Sequence, residues 1–113
     1  MREIVAIIQP HMVSQVVHAL HALEHFPGLT LLDCRGQGRG RGEGGAYQVT
    51  EEDIDYHRKV MLLIVCADAL VPTMVETIRR TAHTGTHGDG VILVRPLAQT
   101  VRIRTGEQDD AAV

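Results

Sequence analysis

Apolar residues in this chain fall into short β-branched runs separated by two stretches with helical spacing. Ile4-Val5-Ala6-Ile7-Ile8 is the first run, and Pro10 stops it. It predicts a strand buried on both faces, or covered by helices on one. Val13, Val16, Val17, Leu20 and Leu23 then share one helical face, with Ser14 as its cap or opening residue and Pro27-Gly28 as its stop. Leu29 to Cys34 returns to a strand pattern, and Val60 to Cys66, the most apolar run, predicts a central strand. Pro72 suits the first turn of a second helix, where its missing N–H costs nothing. Val71, Met74, Val75, Ile78 and Ala82 form that helix's buried stripe, and Gly85, Gly88 and Gly90 break it. Val91 to Val94 predicts a fourth strand, ended by Pro96. Thr100 to Arg104 alternates as a short edge strand does, and Glu107 to Val113 reads as a frayed tail.

The order is strand–helix–strand, twice. Two such units pack most simply as an α+β, ferredoxin-like βαββαβ sandwich, with an antiparallel sheet and both helices on one face. The other face is left uncovered, and strands this apolar predict that an oligomer buries it. Between the halves lies a long loop, about 37–58, which opens with the run Gly36 to Gly45, six glycines in ten residues. A segment so poor in large apolar groups does not offset its own ordering entropy, so mobility is expected. Flanked closely by strands, it reads as a functional loop on a rigid scaffold. Ala46 to Thr50 fits extended chain, and the acidic patch Glu51, Glu52, Asp53 and Asp55 follows.

Composition narrows the class. At 113 residues the chain makes one domain, 1–113, with a core of Val, Ile, Leu, Ala and Met, because Trp is absent. A formal charge of −3 argues against a general nucleic-acid or anionic-membrane surface. Cys34 and Cys66 end separate apolar runs and read as two buried free thiols in a reducing compartment. No apolar run reaches membrane-spanning length, and Gln9, Pro10 and His11 interrupt what a signal peptide would continue. A cytoplasmic location is expected.

Three groups carry candidate chemistry. Thr84-Gly85-Thr86-His87-Gly88-Asp89-Gly90 joins a helix to a strand, and its glycines let backbone N–H groups converge on an anion. It lacks P-loop and dinucleotide spacing, so a plain helix-ending turn is the competing reading. Arg102 and Arg104, two apart on an expected strand, face one side and suit a phosphate clamp, or else a solvated edge. His18, His21 and His25 fall at i, i+3 and i+7, opposite the first helix's apolar face. Such a stripe offers imidazole ligands to a transition metal (zinc, copper or nickel), with His11 and Met12 just before it, or is simply solvated. The run Arg35 to Arg41 has the look of an RNA-binding arginine–glycine tract, but it is short, soon acidic and without aromatics. No arrangement of nucleophile and base, and no paired carboxylates, argues for an enzyme.

Together these pieces resemble the PII signal-transduction (nitrogen regulatory protein P-II) family over nearly the whole chain. The resemblance is carried by Ile7-Ile8-Gln9-Pro10, Gly36-x-Gly38-Arg39, Lys59-Val60, Thr84-Gly85-x-x-Gly88-Asp89-Gly90, and Arg102-Ile103-Arg104-Thr105-Gly106-Glu107. It implies a homotrimer of ferredoxin-like subunits, with the sheets lining the inside and an adenine nucleotide (ADP, ATP or AMP) in each inter-subunit cleft. By position, Gly36, Gly38 and Arg39 approach the nucleotide, and Gly88, Asp89 and Gly90 give backbone contacts to its phosphates. Arg102 and Arg104 of the neighbouring subunit pair with those phosphates, while Thr30 and Val65 lie beside adenine and ribose. The glycine loop then corresponds to the family's mobile loop, which docks on a membrane transporter or metabolic enzyme, with Gly40, Arg41, Tyr47 and Glu52 on the partner-binding part.

Departures from the family pattern are expected to change the effectors. Gly40 stands where the family has a glutamine that holds Mg and 2-oxoglutarate, and glycine has no side-chain oxygen to replace it. Val91 stands in place of a lysine, which removes a phosphate partner and favours triphosphate less over diphosphate or monophosphate. Glu52 aligns with the tyrosine that some members have uridylylated, and Tyr47 matches another position, so that modification is not expected. These are the marks of a divergent PII-like branch, some of which resemble accessories of transporters for metals or inorganic carbon. The alternative is a metal-binding or metal-responsive trimer with weak or lost nucleotide dependence.

Overall fold

The computed structural model describes residues 1–37 and 56–113. Its elements are β1 (Arg2–Ile8), α1 (Val13–His21), β2 (Thr30–Gly36), β3 (His57–Cys66), α2 (Val71–Ala82) and β4 (Gly90–Pro96). The strands form one antiparallel sheet in the order β2-β3-β1-β4, the ferredoxin-like arrangement expected from the pattern. No helix is long and apolar enough to cross a membrane among the described residues.

Strand alternation decides what each sheet face does. Ile4 lies between Ile64 and Val94, Ala6 between Leu62 and Ile92, and Ile8 between Val60 and Gly90. On this face Ile4, Ala6, Ile8, Leu62 and Ile64 are buried against Val16 and Leu20 of α1 and Met74, Ile78 and Ala82 of α2. The opposite face carries Val5, Ile7, Leu32, Met61, Leu63, Val65, Val91 and Leu93, as the pairing register requires. At its margins Leu32, Val91 and Leu93 remain 46%, 49% and 52% exposed. One face is therefore a core, and the other is an apolar surface.

Several expectations are corrected. Helix α1 opens through a 3-10 turn at Pro10–Met12 and has Met12 at its N-cap, so Ser14 lies inside the helix and caps nothing. The helix ends at His21, not at Pro27-Gly28. His25 takes a left-handed backbone (φ 60), which no helix can continue, and Pro27 disfavours helical geometry at Phe26. In α2, Pro72 occupies the first turn as predicted, and the buried stripe also takes in Thr77, whose hydroxyl donates to the Thr73 carbonyl at 2.7 Å. Cys34 and Cys66 are free, but only Cys66 is buried and Cys34 is half-buried.

Thr100 to Arg104 is not an edge strand. Val101 makes a single bridge to Gln108, and between them Arg102 N–H donates to Glu107 O at 2.8 Å and Gly106 N–H to Arg102 O at 2.7 Å. The chain turns back at Gly106 (φ 74), so this segment satisfies its backbone locally. Nor is the C-terminus frayed. Asp109 N–H donates to Thr100 O at 2.7 Å, a 3-10 turn spans Asp109–Ala112, and Ala112 is buried.

Candidate functional site: a polar turn at one end of the sheet

The register brings four strand ends together. Ile8 at the end of β1 pairs with Gly90 at the start of β4 and with Val60 near the start of β3, while Gly36 pairs with His57. Gln9, Lys59 and the turn 84–90 therefore share one end of the sheet with the two ends of the segment joining β2 and β3.

Asp89 organises the turn from within. Its carboxylate accepts from the Thr84 N–H and the Gly85 N–H, each at 2.8 Å, from the Thr84 hydroxyl, and from Gln9 Nε2 at 3.2 Å. His83 Nδ1 lies 3.5 Å away. Burial by itself pushes this carboxyl up, but the Thr84 and Gly85 hydrogen bonds, with His83 nearby, outweigh it and hold the pKa at about 2. Asp89 is thus an internal brace, committed to its own turn. Gln9 also donates to Thr86 Oγ1 at 3.1 Å, and Lys59 Nζ donates to the Gly88 carbonyl at 2.6 Å. These two bonds tie the turn to β1 and β3.

Gly90 is sterically compelled. Its φ is 105°, and a Cβ there would sit 1.7 Å from the Ile7 carbonyl oxygen. At Gly88 a Cβ would come within 3.3 Å of Gln9 Nε2 and 3.4 Å of Lys59 Nζ, so side chain and tether compete for one space.

Gly88, Asp89 and Gly90 lie in this turn, and Gly36 lies beside Lys59. Thr30 and Val65 both lie on the apolar sheet face, Thr30 exposed and Val65 half-buried. Arg102 and Arg104 follow the far end of β4, where Leu97 N–H donates to Met1 O at 3.1 Å. No hydrogen bond or ion pair joins their side chains to the turn 84–90 among the described residues. Gly38, Arg39, Gly40, Arg41, Tyr47 and Glu52 lie outside the described residues.

The histidine stripe is corrected. His18 and His21 stay on α1, but His25 lies beyond its end, and the His21 ring packs edge-on against Phe26 with centroids 5.1 Å apart. Among the described residues no group of three or more His, Cys, Asp or Glu side chains is placed to hold a metal ion.

The side chains of Gln9, Lys59, Thr84 and Thr86 build the site, although in the sequence these residues stand out only as members of motifs, with no role of their own. Gln9 and Lys59 carried a signal: each is a polar residue directly flanking a β-branched run, at ends that antiparallel pairing brings together.

The model of the family described as "Nitrogen regulatory protein P-II" matches residues 1–107. The chain is 44% identical to "Nitrogen regulatory protein P-II" of Klebsiella oxytoca and to "Nitrogen regulatory protein P-II 1" of Escherichia coli (strain K12), each over all 113 residues and the full length of both chains. With "Nitrogen regulatory protein P-II" of Azospirillum brasilense the identity is 40%, again over both full lengths. A braced glycine turn at the sheet end, a ferredoxin-like order and full-length similarity lead to one conclusion: the chain belongs to the nitrogen regulatory protein P-II family.

Proposed function

We propose that this protein is a trimeric cytoplasmic regulator, not an enzyme, that binds an adenine nucleotide between subunits and signals to a transporter or metabolic enzyme through the segment joining β2 and β3. The observation that carries this reading is the turn 84–90, braced by Asp89 and tethered through Lys59 to the root of that segment. A phosphate drawn to the turn's backbone acts directly on the Gly88–Lys59 link, which gives the ligand a route to the segment's base. Membership of the P-II family and the apolar outer sheet face support the trimer. Arg102 and Arg104 lie past the opposite end of β4, which favours their service to a neighbour's phosphates.

Calorimetry with AMP, ADP and ATP, with and without Mg and 2-oxoglutarate, tests this reading. Saturable binding of at least one nucleotide is expected, with little gain from 2-oxoglutarate because Gly40 offers no side-chain oxygen. No binding of any of the three removes the nucleotide from the proposal.

A further inference from the structure

Ile103 is the most exposed large apolar residue among those described, at 101% of its reference area, so it touches essentially nothing in its own subunit. The turn that displays it is well built. Arg102 N–H to Glu107 O and Gly106 N–H to Arg102 O close it, and the Thr105 hydroxyl donates to Glu107 at 2.8 Å. A fixed turn therefore holds an isoleucine in water, between two arginines.

A complementary feature lies at the other end of β4. Ile8, Ile78, Ala82, Val91 and Ile92 give the apolar lining of a groove of roughly 320 Å³, which Arg79, His83 and, from the polar turn, Asp89 and Gly90 complete. The groove's own basic groups are engaged, Arg79 with Glu76 at 2.6 Å and His83 with Asp89 at 3.5 Å, so they do not oppose incoming arginines.

We propose that Ile103 of one subunit inserts into the Ile8–Ala82–Ile92 groove of its neighbour and thereby positions Arg102 and Arg104 over the neighbour's 84–90 turn. This inference rests on the nucleotide-cleft reading above, because only arginines that reach the turn bring Ile103 beside the groove. Ile103 is then a positioning residue: it touches no nucleotide, but sets where the two guanidinium groups lie. Burying its side chain also favours the closed cleft, so nucleotide and subunit contact strengthen together.

The test uses the full chain. Ile103→Ser is expected to weaken ADP and ATP binding by about tenfold or more, while Ile103→Leu restores affinity to near wild type. With Cys34 changed to Ser, a double variant carrying Ala82→Cys and Ile103→Cys should form a covalent inter-subunit ladder on mild oxidation, and neither single variant should. If the double variant runs as a trimer and binds nucleotide but forms no ladder, or if Ile103→Ser binds as tightly as wild type, the inference is overturned and the nucleotide reading stands. If the wild-type chain is monomeric or binds no nucleotide, both fall.

Discussion

At the scale of single residues, the turn depends on Asp89 and Gly90. The Asp89 pKa lies at about 2 in the folded chain, against an ordinary value of 3.8. Its ionised form therefore contributes stability above about pH 4, and that contribution is lost as pH falls through about 2. Thermal melts at stepped pH should show this acid-side loss in the wild type, and it should shrink in Asp89→Asn. Equal slopes in the two proteins would contradict the brace. Gly90→Ala must relieve both a left-handed backbone and an overlap with the Ile7 carbonyl. A loss of roughly 1–3 kcal/mol or more is expected by urea denaturation. The sequence shows that glycines matter between α2 and β4. It does not show which one faces a carbonyl, since that depends on how β4 docks on β1.

Between elements, the Lys59–Gly88 hydrogen bond is the link to break. Lys59→Met keeps the length of the side chain but removes the donor. Amide exchange across 84–90 should then rise by about tenfold while β1 stays protected, as expected for local opening rather than global loss. Unchanged exchange would sever the turn from the joining segment. The histidines show how a periodic pattern misleads: His18, His21 and His25 share one stripe only if α1 runs four residues beyond His21. Zinc titration should therefore give the same affinity for wild type and for the triple change of His18, His21 and His25 to Ala. Weakened binding in the triple variant would restore the stripe.

For the whole molecule, the consequential surface is the apolar sheet face. Leu93 points outward on this face and is 52% exposed in the single chain. Leu93→Glu should leave the fold intact by circular dichroism and shift sedimentation from the proposed trimer to one chain, since a buried unpaired carboxylate is costly. A trimer that survives this change would place the subunit contact elsewhere.

Sequence alone determined the order of the four strands and two helices, the two-sided strands and the kinship with the P-II family. Those rest on local periodicity and on short motifs, which tertiary contacts seldom overrule. Tertiary structure decided how far α1 runs, and that Thr100–Arg104 turns on itself instead of joining the sheet. It also decided that Gln9, Lys59 and Asp89 meet at one point. That meeting depends on contacts between residues up to 80 positions apart, and no local window contains both partners.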